Sequence, residues 1–248
     1  MSKVMIVTGG SRGIGAATVR LAASRGYTVC FTYLHSRDAA DALVREVADG
    51  GGRAVAVASD VCSEADVIRL FEFVDAELGT LSALVNNAGI LEKQMRVEDM
   101  DAGRLERVFT TNIVGSFLCA REAVRRMSTR RGGSGGAIVN LSSMAARLGS
   151  PNEYVDYAAS KGAIDALTIG LSKEVAEEGI RVNAVRPGLI YSDIHAAGGM
   201  PDRVDRLKHI VPMKRGGTCE EVAKAILWLL SDEASYTTGS FIDVSGGR

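Results

Sequence analysis

Thr8-Gly9-Gly10-Ser11-Arg12-Gly13-Ile14-Gly15 stands between a short apolar run, Val4-Met5-Ile6-Val7, and an amphipathic stretch that begins at Ile14. Glycines that close a strand and open a helix allow a tight turn. They also let a pyrophosphate approach free helix N–H groups, where the dipole favours negative charge. The spacing Gly9-xxx-Gly13-x-Gly15 departs from the usual GxGxxG. Its place after the first strand therefore carries the reading of a dinucleotide site formed by Gly9, Ser11, Arg12, Gly13, Ile14 and Gly15.

Outward from this turn, short β-branched or apolar runs alternate with longer amphipathic ones. Strands are expected at 4–7, 28–32, 54–58, 83–85, 137–141, 181–185 and 241–244, and helices at 14–25, 37–49, 63–78, 101–127, 157–178 and 220–230. Strict alternation implies right-handed crossovers. The fold class is therefore α/β, a doubly wound parallel sheet of about seven strands with helices on both faces. One domain is expected over 1–248. Ligands of such sheets bind beyond the carboxyl ends of the strands, so motifs at strand ends matter most. The run 193–212 breaks the alternation and is read as a substrate lid, with Gly198 and Gly199 as hinge. In it, Ile194 and Met200 are placed to meet substrate and a charged helix over 201–209 to face solvent.

Composition excludes other classes. A net charge of -1 over 248 residues leaves no basic field for nucleic acid. Four scattered cysteines without CxxC fit reduced thiols and a cytoplasmic location, and histidines at 35, 195 and 209 give no metal spacing. No run approaches the roughly 20 apolar residues that span a bilayer.

At the end of the second strand, Tyr33-Leu34-His35-Ser36 offers no acid for a ribose 2′-hydroxyl, and Asp38 comes late. Arg12 and Arg37 are placed for a 2′-phosphate instead, favouring NADP with NAD as the lesser option. Asp60 and Val61 end the third strand, where the carboxylate either accepts from an adenine amino group or caps the next helix. Asn87, Ala88 and Gly89 end the fourth, their small size admitting a cofactor. Asn112 has poor helix propensity within its segment, and is read either as a buried structural amide or as a proton-relay member. Asn140-Leu141-Ser142-Ser143 ends the fifth strand with two hydroxyls, either of which can bond a substrate oxygen. Pro187-Gly188-Leu189-Ile190, followed by Ser192, can clamp an amide such as nicotinamide.

Tyr157 and Lys161 lie four residues apart on one helix face. A free phenol titrates near 10. Bringing it to roughly 7 takes about 4 kcal/mol, which an ammonium and a positively charged cofactor can jointly supply. That is acid and base chemistry at a carbonyl or an alcohol.

Together and in order, these segments, with the closing Gly239-Ser240-Phe241-Ile242-Asp243 and Gly246-Gly247, resemble the short-chain dehydrogenase/reductase family along nearly the whole chain. The resemblance implies a Rossmann-like oxidoreductase. In it Ser143 orients the substrate oxygen, Tyr157 is the acid or base, Lys161 lowers its pKa and holds the ribose, and Asn112 seats a relay water. The chain departs from the pattern in one respect: Ser143 precedes Tyr157 by 14 residues, one more than usual, and the extra residue falls in Gly149-Ser150-Pro151-Asn152-Glu153. Sugar dehydrogenases similar to glucose 1-dehydrogenase and 3-oxoacyl-carrier-protein reductases are the competing relatives. A carrier would want a basic landing site, for which Arg125, Arg126, Arg130 and Arg131 are candidates, although cations at a helix end also simply oppose its dipole. The charged lid suits a small polar substrate better. A cofactor-sensing regulator is the alternative from another class, and retention of Tyr157 and Lys161 argues against it. The resemblance also implies a homotetramer built on the helices over 101–127 and 157–178. Val114, Phe117, Leu118, Leu167 and Leu171 there serve core or interface, and core is the simpler assignment for each.

Overall fold

The computed structural model describes residues 3–248. Strands β1 (Val4–Val7), β2 (Thr28–Tyr33), β3 (Arg53–Ala58), β4 (Leu81–Asn86), β5 (Gly136–Leu141), β6 (Ile180–Pro187) and β7 (Phe241–Val244) pair in parallel in the order β3-β2-β1-β4-β5-β6-β7. Helices α1 (Gly13–Ser24), α2 (Arg37–Asp49) and α10 (Cys219–Leu230) cover one face. On the other lie α3 (Glu64–Glu77), α5 (Gly115–Met127) and α7 (Val155–Val175). Successive strand residues point to opposite faces. Met5, Val7, Val29, Phe31 and Val85 therefore join the first core, while Val4, Ile6, Cys30 and Leu84 join the second. Because both faces are covered, the central strands are apolar throughout rather than alternating.

The strand order reverses between β1 and β4, which places a crevice at their carboxyl ends. The turn after β1 and the Asn87-Ala88-Gly89 segment after β4 both open onto it.

The single helix expected over 101–127 is corrected. It is α4 (Ala102–Phe109) and α5, joined through a π-helical turn at Thr110–Val114. The wider turn carries Asn112, whose fully buried amide accepts the Ile90 N–H at 2.8 Å and donates to the Ile90 carbonyl at 3.0 Å. These bonds offset the disturbed helical ladder. The helix over 157–178 starts earlier, at Val155, and its last turn, Ala176–Glu178, is 3-10. Short helices α6 (Ala145–Leu148), α8 (Ile194–Ala197) and α9 (Arg203–Leu207) complete the chain.

Leu167 is buried, and Leu118 and Leu171 pack on the second core, but Val114 and Phe117 are exposed, as is Ile169 on α7. The core assignment thus fails for Val114 and Phe117, because the sheet is already covered beneath them. Among the described residues, no helix is long and apolar enough to cross a membrane, and no cluster of His, Cys, Asp or Glu has metal-ligand geometry.

Candidate active site

Thr8 ties the glycine turn to β4. Its hydroxyl accepts the N–H groups of Asn87 and Ala88, each at 3.0 Å, and the Asn87 amide donates to the carbonyls of Thr8 and Gly9 at 2.9 Å. Gly9 and Gly13 have φ of +63° and +55°, a left-handed conformation that favours glycine. A Cβ on Gly15 would lie 2.4 Å from the Gly9 carbonyl oxygen. Ser63, Asp101 and Thr218 cap α3, α4 and α10 with their side chains, yet α1 has neither a side-chain cap nor an acid in its first turn. Uncapped N–H groups at the crevice suit a pyrophosphate, so these residues fit a dinucleotide.

Other expected cofactor residues are distributed around this turn. Arg12 precedes α1 and Arg37 opens α2, both exposed, with Arg37 Nε 3.7 Å from Asp41. Asp60 accepts the Cys62 N–H at 2.9 Å, a local turn bond ahead of α3, whose cap is Ser63 and not Asp60 as the capping alternative expected, and Val61 is buried where Gly115 packs on it. Ile14, Asn87, Gly89, Pro187, Gly188, Ile190 and Ser192 line a cavity of about 470 Å³ at the crevice. Gly9, Ser11, Arg12, Gly13, Gly15, Arg37, Asp60, Val61 and Ala88 do not line it.

Ser143, Tyr157 and Lys161 meet on the wall of the same cavity. The Ser143 hydroxyl accepts the Ala145 N–H at 3.1 Å and lies near enough to the Tyr157 phenol to favour its ionised form. Ser142 instead donates to the Lys161 carbonyl at 3.3 Å, so of the two serines it is Ser143 that faces the phenol. Lys161 Nζ donates to the Leu141 carbonyl at 2.6 Å and sits 5.5 Å from the centre of the Tyr157 ring. The start of α7 is fixed one residue earlier by a fully buried ion pair, Arg104 Nε to Asp156 at 2.7 Å. Asn112 lies behind the cavity wall, where its second amide hydrogen goes to Ser160 Oγ at 3.1 Å.

Burial pushes the Tyr157 phenol up to about 12, against a smaller downward pull from Ser143. Burial likewise pushes Lys161 down to about 8, with Asp165 opposing. In the free protein desolvation therefore outweighs the ammonium. Lowering the phenol toward neutrality needs further positive charge.

The segment 193–212 covers the cavity through α8 and α9. Arg203 is turned inward, 8% exposed, and forks onto Glu153 at 3.0 and 2.5 Å. The Tyr154 hydroxyl donates to the Gly198 carbonyl at 3.1 Å. Gly198 is not the expected hinge, because it is buried at an ordinary φ of -73° and a Cβ there would meet Leu91 at 2.9 Å. Gly199, at φ +81°, retains that freedom. Ile194 lines the cavity as expected, but Met200 does not. The extra residue before Tyr157 is absorbed by α6 and a left-handed run at Gly149, Ser150 and Asn152, which delivers Glu153 to Arg203.

The roles of Thr8, Arg104, Asp156, Glu153 and Arg203 show no sign in the sequence. For the four charged residues the signal was weak: a charged residue in a polar segment reads as solvated until a partner folds onto it.

A family model described as Enoyl-(Acyl carrier protein) reductase matches residues 9–248. The chain is 58% identical to an uncharacterized oxidoreductase of Escherichia coli, YgfF, over 99% of both chains. It is 39% identical to a glucose and ribitol dehydrogenase homolog of Oryza sativa, covering 99% of this chain and 85% of that one. It is 36% identical to a 3-oxoacyl-[acyl-carrier-protein] reductase of Staphylococcus epidermidis, over 100% and 99%. Among solved structures, a short-chain dehydrogenase/reductase from Serratia marcescens superposes with a TM-score of 0.90 at 33% identity, over 99% of this chain and 97% of that one. A blue fluorescent protein from a metagenomic library, in complex with NADPH, gives 0.89 at 33%, with the same coverage.

Proposed function

The chain belongs to the short-chain dehydrogenase/reductase family, as an NAD(P)-dependent oxidoreductase of CH–OH groups, and from that premise we propose that Tyr157 is its acid and base. The observation carrying this reading is that Ser143, Tyr157 and the buried Lys161 meet on one cavity wall, with Lys161 Nζ 5.5 Å from the centre of the phenol ring. NAD(P), when bound, supplies the hydride donor or acceptor and, when oxidised, a positive ring. Tyr157 gives its phenolic proton to a carbonyl oxygen in reduction and takes one from the alcohol in oxidation. Ser143 orients that oxygen. Lys161, protonated below about pH 8, keeps a positive charge behind the phenol and holds ribose hydroxyls. Asn112 has one lone pair left on Oδ1 for a relay water, its other amide positions being taken by Ile90 and Ser160.

For substrate, we favour a small polar carbonyl compound or secondary alcohol of the sugar type. The carrier-protein alternative needs a basic landing site, but that cluster is largely neutralised: Arg125 and Arg126 bind Glu122, and Arg130 binds Glu177. It also lies where α5 leads into β5, at the amino ends of the strands, opposite the carboxyl ends that the cavity occupies. A panel of sugars, 3-oxoacyl thioesters, steroids and simple ketones, read by absorbance of the reduced cofactor, tests this. Faster reduction of the thioesters would reverse the choice, and turnover of nothing would leave the cofactor-sensing regulator.

NADP(H) is the expected cofactor, with NAD(H) used less well. Arg12→Ala and Arg37→Ala should each cut the ratio of kcat/KM for NADP over NAD by about tenfold or more, as a charge-assisted bond contributes about 1.5–3 kcal/mol. An enzyme that prefers NAD and ignores both substitutions contradicts this.

A homotetramer would cover the exposed Val114, Phe117 and Ile169. Light scattering should show an assembly of four chains, and a monomer of 26.2 kDa at micromolar concentration rejects it.

The segment 193–212 acts as a substrate lid, clasped by the pair between Arg203 and Glu153. Hydrogen exchange should slow there more than in the sheet when cofactor and substrate saturate the enzyme. Equal exchange with and without ligands would show a fixed excursion.

A further inference from the structure

We propose that the substrate carries an anionic group, a carboxylate or a phosphate, and that Arg248 binds it in the cavity whose wall holds Tyr157. The proposal rests on the oxidoreductase reading of that cavity and narrows its substrate class. Three cationic side chains, Lys161, Arg203 and Arg248, belong to residues that line the cavity, whereas Glu153 is the single carboxylate side chain among them. Glu153 is already committed, since both of its oxygens receive the Arg203 fork. Lys161 is held deep against the Leu141 carbonyl. His195 adds no compensating negative charge: its Nε2 lies 2.9 Å from the Ile190 carbonyl, and its buried Nδ1 has no partner among the described residues.

Arg248 is therefore left as the unpaired cation. It is half-buried, and no carboxylate side chain among the described residues lies within ion-pair distance of its guanidinium. Burial and repulsion from Arg203 disfavour its charge, with Glu153 opposing them. A guanidinium does not shed its proton in proteins, so an anion entering from solution relieves this arrangement. Its planar fork matches carboxylate and phosphate oxygens.

The residue is also held in place. The Ser245 hydroxyl donates to the Arg248 carbonyl at 3.1 Å, and the Met213 N–H donates to the Gly246 carbonyl at 3.1 Å. Ser245 packs so closely on Gly188 that a Cβ there would lie 2.8 Å from Ser245 Cα. This seats Arg248 against the turn after β6. Leu148, Pro151 and Leu207 supply apolar wall to the same cavity. The fit is a compound with its reacting carbon at Tyr157, a short body along that wall, and an oxyanion at Arg248.

Matched pairs test this with NADPH as reductant: 4-oxopentanoate against its methyl ester, and dihydroxyacetone phosphate against dihydroxyacetone. The wild type should prefer the anionic member of at least one pair by about tenfold or more in kcat/KM, and the pair that shows it separates carboxylate from phosphate. Arg248→Ala should collapse that ratio toward one through KM, and Arg248→Lys should restore part of it. Calorimetry on the enzyme with NADPH adds a readout independent of turnover: benzoate should bind more tightly than benzamide in the wild type, and equally in Arg248→Ala. Equal use of both members of each pair, together with equal binding of benzoate and benzamide, overturns the proposal. So does an Arg248→Ala enzyme that loses NADPH affinity instead of anion preference, since its charge then serves the cofactor. The oxidoreductase reading itself is tested by the wider substrate panel, so if no carbonyl in either pair is reduced, the benzoate comparison alone decides the role of Arg248.

Discussion

Replacing Tyr157 with phenylalanine lowers kcat by about 100-fold or more while cofactor affinity stays close to that of the wild type. The substitution removes one hydroxyl and leaves the ring, which sits 5.5 Å from Lys161 Nζ, in place. Ser143 keeps its bond from the Ala145 N–H and its place after β5, so the geometry of the wall is retained and only the proton is lost. Steady-state turnover and calorimetric cofactor binding on the same preparation check it. More than about a tenth of wild-type activity would remove Tyr157 as principal proton donor.

Removing the charge of Lys161 harms two steps at once. Lys161→Ala should lower cofactor affinity and kcat together, each by about tenfold or more, because one ammonium serves ribose and phenol. Lys161→Met, which keeps most of the side-chain volume, separates lost charge from lost packing, and both variants should show the same pair of defects. Stability carries a second signature. The folded pKa of Lys161 is about 8 against 10.5 for the free side chain. The unfolded chain thus binds one more proton between those values, and wild-type stability rises with pH across that window. The penalty of burying the charge is fully present below about pH 8. Lys161→Met lacks the titrating group, so the gap in melting temperature between it and wild type should change in favour of wild type between pH 8 and 10.5 in the cofactor-free proteins. A gap that does not move with pH would show that the amine is not buried in its charged form.

Much of this was legible in the chain. Strand runs such as Val4-Met5-Ile6-Val7 are continuous apolar segments bounded by turn residues, and every expected strand is present within a few residues. The glycine turn, Asn87 to Gly89, Ser143, Tyr157 and Lys161 are local patterns at strand or helix ends, which is where a parallel sheet gathers its ligands. Long-range pairing was not legible. Nothing local marks Arg104 as the partner of Asp156 across 52 residues, or Arg203 as that of Glu153 across 50. The π turn at Asn112 was hidden for the same reason. Its cause is the backbone of Ile90, 22 residues away, while the flanking sequence reads as uninterrupted helix. Val114 and Phe117 were placed inward because an apolar residue on a long helix has two destinations, and only the packed sheet shows that the inner one is full.

The central claim is that the Tyr157 phenol is the proton-transfer group and that its pKa is set at the moment the cofactor binds. Titrating phenolate absorbance in wild type minus Tyr157→Phe, free and then saturated with NADP+, tests it most directly. In the free enzyme the phenol should resist ionisation up to about 12. With NADP+ bound it should fall by several units toward roughly 7, and by much less in Lys161→Ala. A difference titration that stays in the same place with and without NADP+ would contradict the account.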